Sequence, residues 1–223
     1  MSHSFDSLDK IQKFLTIIIR VSLLVAIIEE ILNREWLLLL ITIFIFVLTY
    51  SYKFVEHKYR FRIPIEYELI ILIFIYATLF LGELRGFYTL FWWWDIVLHI
   101  GSGLALGFSG FLIMYILYYK NKINASPFLV SIFAFCFALA IGAIWEIFEF
   151  SADQILGTSM QKSGLIDTMW DLIIDAGGAL ITSIMGYLYL KGTKTPLFTR
   201  MVSKYIKENR YFTLKSRTAS KTL

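Results

Sequence analysis

Acidic side chains set inside long apolar runs constrain this chain more than any other feature. Runs such as DIVLHIGSGLALGFSGFLIMYILYY and PFLVSIFAFCFALAIGAIWEIFEF would suit a membrane interior, yet Asp95, His99, Glu146, Glu149, Asp153, Asp167, Asp171 and Asp175 lie in or beside them. An ionisable group at membrane depth costs on the order of a few kcal/mol, so it faces a protein interior or a watery cavity and marks a functional candidate.

The chain has 223 residues, 58% of them hydrophobic, with a mean hydropathy of +0.68. Soluble domains hold about 45–50% apolar residues. A helix crosses the hydrocarbon with roughly 20 apolar residues, which here gives spans at 14–31, 36–52, 65–84, 92–119, 127–153 and 165–190. The expected fold is therefore all-α, a polytopic membrane protein with a six-helix transmembrane bundle. Residues 1–13 form a cytosolic arm and 191–223 a basic cytosolic tail. Glu29, Glu30 and Arg34 follow the first run where a small-x-small cleavage site would stand, so it is a retained span. Cys136 stands alone in an apolar run, which excludes an intrachain disulfide and a Cys-based zinc site and leaves packing. No soluble domain or solenoid repeat is visible.

Lys and Arg gather at the two termini and in the loops after spans two and four; the exceptions are Arg20, Arg34, Arg85 and Lys162. By the positive-inside rule both termini lie in the cytosol, in a plasma or inner membrane. Arg20 is close enough to the inner end of span one to snorkel. The tail residues Lys204, Lys207, Arg210, Lys215, Arg217 and Lys221 suit anionic inner-leaflet lipids rather than nucleic acid. Trp92, Trp93 and Trp94 fit the headgroup level, and Pro127 fits the first turn of span five.

This orientation puts the acids on one side of the membrane, with Glu29, Glu30 and Glu83 as a second ring. Asp95 and His99 are spaced i,i+4, Glu146, Glu149 and Asp153 i,i+3,i+7, and Asp167, Asp171 and Asp175 i,i+4,i+8, so each set makes one helical stripe. Gly101, Gly103, Gly107, Gly110, Gly177 and Gly178 provide small surfaces on which spans four and six approach closely. Seven carboxylates cannot all stay ionised in one low-dielectric cleft without a counter-charge, and no Lys or Arg lies in the stripes. Bound cations, protonated acids or a watery vestibule would resolve this. Carboxylates with one imidazole suit a divalent ion such as Mg, Mn or Zn. The expected ligands are Asp95, His99, Glu146, Glu149, Asp167, Asp171 and Asp175, with Glu146, Glu149 and Asp175 also the catalytic candidates. The bland roles are a helix-opening acid at Asp95 or Asp167, an interfacial Asp153, and packing for Trp145 and Trp170.

The runs WWWDIVLHIGSGLALG, GAIWEIFEF and LGTSMQKSGLIDTMWDLIIDAGGA resemble the YjdF-like family of multispanning prokaryotic inner-membrane proteins. They are more distantly similar to the VanZ-like family, with its D-x-x-x-H, later glutamate and D-x-x-x-N-x-x-G ending. The likeness covers residues 92–179 and implies functional roles for Asp95, His99, Glu146, Glu149, Gln161, Asp167, Thr168, Trp170, Asp171 and Gly178. The chain departs from the VanZ-like pattern in carrying Asp175 where Asn is usual, and from the spacing between Gln161 and the Asp-Thr pair.

The family likeness carries no reaction. The expected function is an outer-facing, metal-dependent membrane hydrolase or transferase acting on a lipid-linked phosphate or headgroup. The alternatives are a cation- or proton-coupled transporter or channel, and a non-catalytic membrane subunit.

Overall fold

The computed structural model describes residues 2–59, 65–119, 123–157, 160, 161, 163–193 and 195–209. Every regular element among them is helical. The chain divides after Trp94 into two compact units. Lys162 and the tail residues Arg210, Lys215, Arg217 and Lys221 lie outside the described residues, as do Arg60, Arg62 and Pro64 of the expected basic loop.

In the first unit, α1 (Ser2–Asn33) is one unbroken helix, in which residues 2–13 run on into the expected first span. It ends where Arg34 takes a left-handed φ of 60°. The Arg34 N–H then donates to the Ile31 carbonyl at 3.2 Å and the Glu35 N–H to the Glu30 carbonyl at 2.9 Å. This pair of bonds satisfies carbonyls that the helix end would otherwise orphan. Next come α2 (Trp36–Leu48), α3 (Ser51–Tyr59) and α4 (Ile65–Ile75). α3 shows that helix replaces loop over much of the expected basic connection. α4 widens without a break into a π-helix over Tyr76–Leu84, closed by the Arg85 N–H donating to the Phe80 carbonyl. The short α5 (Phe87–Leu90) follows, and the Trp94 indole donates to the Ala77 carbonyl in the π segment at 3.2 Å.

Ile19, Leu23 and Ala26 of α1 pack with Ile45, Leu72 and Phe80 to make this unit's core. Lipid tails are as apolar as leucine, so close fit rather than water exclusion favours this packing. Polar contacts add specificity. Arg20 does not simply snorkel: its guanidinium donates to the Thr49 carbonyl at 3.2 Å and lies 3.8 Å over the Tyr50 ring. Glu30 is buried and accepts from the Thr42 hydroxyl at 2.8 Å, while Glu29 pairs with Arg85 at 3.1 Å.

The second unit holds α6 (Trp94–Tyr119), α7 (Pro127–Leu156), α8 (Leu165–Leu190) and α9 (Pro196–Glu208). Ser126 caps α7 by accepting from the Leu129 N–H, and Pro127 occupies the first turn as expected. α6 and α8 meet backbone to backbone. A Cβ on Gly103 would lie 2.5 Å from the Asp175 carbonyl oxygen, and one on Gly178 2.7 Å from that of Ile100. The Thr182 hydroxyl bridges the same pair by donating to the Leu104 carbonyl at 3.1 Å. α7 and α8 are tied by the Ser183 hydroxyl, which donates to the Ser131 carbonyl at 2.6 Å. Gly192, with φ of 81°, turns the chain out of α8. α9 then seats Phe198 against Phe108, Phe111 and Tyr189. A packed helix thus stands where the sequence reading has only a basic tail.

Among the described residues, four helices are long and apolar enough to cross a membrane: Tyr67–Leu84, Trp94–Tyr118, Pro127–Ile155 and Leu165–Leu190; the count becomes five if α2 and α3 form one span bent by 45°. The expected six is not reached among the described residues. Its first member, 14–31, lies within α1 and carries Arg20, Glu29 and Glu30 in a single span length. Outward-facing Phe148, Ile173 and Ile181 suit contact with lipid.

Candidate functional site

Three helical turns bring the acids together. Asp95 opens α6, and His99, one turn on, is buried. Asp171 and Asp175, also one turn apart, are buried on α8. The approach of α6 to α8 at Gly103 and Gly178 sets these two pairs against each other. His99 Nε2 stands 3.6 Å from Asp95 Oδ1 and 3.8 Å from Asp171 Oδ1. On the other side of the ring, Nδ1 stands 3.3 Å from Asp175 Oδ1, without the alignment of a hydrogen bond.

Asp175 is fixed from two sides. The Ser102 hydroxyl donates to its Oδ1 at 2.8 Å. Gly142 of α7 leaves room for its other oxygen, since a Cβ there would sit 2.5 Å from Oδ2. Neither partner is singled out by the sequence reading. The signal for Ser102 is its place three residues after His99, on the stripe begun by Asp95.

α7 contributes Glu146, whose two carboxylate oxygens are buried and accept no hydrogen bond. The nearby Thr168 hydroxyl accepts from the Gln161 amide at 2.6 Å; no bond of adequate geometry joins it to Glu146. Glu146 lies within electrostatic reach of His99, Asp167 and Asp175. Glu149 is half-buried, feels Glu146, His99 and Asp95, and accepts from the Trp145 indole at 2.8 Å. Asp167 is half-buried and within reach of Asp171. The structure therefore sets Asp95, Asp171 and Asp175 around His99, with Glu146, Glu149 and Asp167 within electrostatic reach of the group.

Three positions go elsewhere. Asp153 accepts the Met160 and Gln161 N–H groups at 2.8 and 2.9 Å, so it organises the turn between α7 and α8. Trp170 is 61% exposed. Gly178 serves helix packing.

One ligand atom from each of Asp95, His99 and Asp171 lies within 4.8 Å of the other two. Nε2 to carboxylate separations of 3.6 and 3.8 Å are too long for hydrogen bonds. Ligand atoms about 2.0–2.2 Å from a tetrahedral metal are themselves about 3.4 Å apart. The three ligand atoms are therefore spaced so that they could hold a metal ion.

The family model for the predicted membrane proteins DUF2238 matches residues 11–192. The chain belongs to that family. This agrees with the YjdF-like resemblance; neither comparison bears on the VanZ-like one. An uncharacterized protein of Thermotoga maritima is 33% identical over 103 residues, which cover 44% of this chain and 50% of that relative. The match thus spans about half the length of the curated relative. No solved structure matches the chain.

Proposed function

We propose that the cluster is an intramembrane divalent-metal centre of a hydrolase or transferase acting on a lipid-linked phosphate or headgroup. The observation that carries this reading is the trio Asp95, His99 and Asp171, whose ligand atoms converge within 4.8 Å. Asp175 supports it, because its carboxylate stands 3.3 Å from the far nitrogen of the imidazole, near enough to take that N–H and orient the ring after a small rotation. A bound Mg, Mn or Zn ion would relieve the crowding of acids and polarise a phosphoryl oxygen or activate water. Glu146 is then the proton acceptor, since its oxygens are committed to no other donor. Glu149 and Asp167 complete the acidic wall. The positive-inside pattern argues for a site facing the outer leaflet, with both termini in the cytosol.

A second reading, a cation- or proton-coupled transporter, is favoured by the same unpartnered Glu146, which suits a protonated acid. Against it, the opposite end of the bundle is filled by Phe108, Phe111, Tyr115, Tyr189 and Phe198 packed ring to ring. Among the described residues of this unit, that packing disfavours a polar path for an ion.

The test is turnover. The full chain in nanodiscs, given Mn2+ and lipids bearing phosphomonoester, diphosphate or phosphodiester heads, is expected to release phosphate or headgroup from one class. His99→Ala and Asp171→Asn should abolish the release. Cation or proton flux in sealed vesicles, with no turnover of any class, would overturn the proposal in favour of transport.

A further inference from the structure

One face of α9 is packed and the opposite face is bare. Pro196 in its first turn pre-sets the helical φ, and the Asn209 side-chain amide closes its far end by donating to the Tyr205 carbonyl at 3.0 Å. Phe198 and Val202, one turn apart, are buried. The Phe198 ring meets Phe108 and Phe111 of α6 and Tyr189 of α8, with centroids 5.0, 4.8 and 5.8 Å away. Both of those helices are long and apolar enough to cross a membrane. Through Phe198, α9 is therefore held against the bilayer rather than out in water. Half-buried Met201, Tyr205 and Ile206 flank the packed residues and widen the apolar arc.

The other face is cationic. At about 100° per residue, Arg200 and Lys207 both stand roughly 180–200° round the helix from Phe198, and both are exposed. Lys204 is half-buried on the flank, and Lys191 is exposed where α8 ends. From Lys191 to Asn209 the sequence holds five basic residues against one acid, Glu208. α9 thus gathers onto one helical face part of the charge expected of a loose tail, and adds Arg200 to it. A helix with an apolar arc on one side and Lys or Arg on the other suits the bilayer interface, where anionic headgroups attract it. The seating of Phe198 on two membrane helices favours lipid over a soluble acidic partner, because it sets the charged face beside headgroups.

We propose that the cationic face of α9 binds the phosphate-bearing headgroups of anionic lipids in the leaflet where α8 ends. Arg200 and Lys207 supply the exposed charge, and the seating of Phe198 and Val202 holds that charge at headgroup level. The acid cluster plays no part in this binding. Each Lys or Arg beside an anionic surface strengthens association about fivefold, and added salt weakens it.

The test uses the full chain in neutral detergent micelles, titrated with phosphatidylglycerol, while hydrogen exchange over residues 196–208 is followed by mass spectrometry. Phosphatidylglycerol should slow exchange in that segment saturably, and phosphatidylcholine should not. Arg200→Gln and Lys207→Gln should each raise the half-saturating lipid concentration about fivefold, and the double variant roughly 25-fold. The charge-keeping pair Arg200→Lys with Lys207→Arg should bind as the unmodified chain does. Lys10→Gln with Lys13→Gln, which removes two exposed charges from α1, should leave protection of 196–208 within twofold. The single variants keep the test decisive if the double one does not fold. Equal protection by phosphatidylcholine would mean apolar insertion alone, and protection by inorganic phosphate at the same concentration would mean a simple anion site. Either result overturns the proposal, as does equal weakening by the α1 pair.

Discussion

Replacing Gly103 by alanine tests whether the acid cluster depends on backbone contact between α6 and α8. The new Cβ would lie 2.5 Å from the Asp175 carbonyl oxygen and 3.2 Å from the Ala179 nitrogen, both backbone atoms. Ordinary contact begins near 3.4 Å, so the helices must separate by up to about 0.9 Å, and no side-chain rotation can relieve it. Overpacking of this kind costs about 1–3 kcal/mol. At about 2–4 °C per kcal/mol for a chain of this size, the melting temperature should fall by roughly 2–12 °C. The same separation lengthens the 3.3 Å contact of Asp175 with His99, so Mn2+ affinity should drop as well. Gly101→Ala is the control: it lies on the same helix, and its Cβ would meet nothing within 4 Å. It should be neutral, or stabilising by up to about 1 kcal/mol through helix propensity. Thermal unfolding followed by tryptophan fluorescence, with Mn2+ titration of each variant, gives both readouts. If Gly103→Ala melts and binds Mn2+ as Gly101→Ala does, the close α6–α8 approach is wrong.

Gly142→Ala puts a methyl against Asp175 Oδ2, a side-chain atom that can swing away. The fold should survive with a melting temperature within about 2 °C, whereas Mn2+ affinity falls about 10- to 100-fold as the carboxylate behind His99 shifts; equal affinity would contradict the role given to Asp175. Asp153→Ala removes the acceptor of two N–H bonds in the α7–α8 turn. It should cost about 1–3 kcal/mol, read as a lower melting temperature, while Mn2+ binding is retained once folded; lost binding in a well-folded variant would return Asp153 to the site. A reporter fused after Leu223 should score as cytosolic, and a periplasmic or extracellular signal would reverse the orientation argued from Lys and Arg.

Much of the site is legible in the sequence because helix geometry converts spacing directly into proximity. Asp95 with His99, and Asp171 with Asp175, each sit one turn apart, and the glycines at 103 and 178 announce where their helices touch. What the sequence hides is which acids find another partner. The Trp145 indole takes up Glu149, and two backbone N–H groups take up Asp153, through contacts that depend on rotamers and turn geometry. Ser102 escapes notice because serine is common in small-residue stripes. The span count is harder to read, since α1 mixes long apolar stretches with Arg20 and Glu30, whose partners Thr49 and Thr42 lie on α2 or at its end. α9 is too short to span a membrane, but Leu197, Phe198, Met201, Val202, Tyr205 and Ile206 recur at helical spacing, an amphipathic pattern masked by the basic residues between them; Phe198 and Val202, one turn apart, are buried.

Metal content with its linked stability tests the central claim most directly. The full chain, purified without chelator, should carry about one divalent ion, and chelation should lower its melting temperature. Restoring Mn2+ or Zn2+ to 100 times its dissociation constant should stabilise the fold by about 2.7 kcal/mol, or roughly 5–11 °C. Asp171→Asn and His99→Ala should abolish this response. A chain that purifies without metal and melts at one temperature with chelator, Mg2+, Mn2+ or Zn2+ would contradict the metal centre.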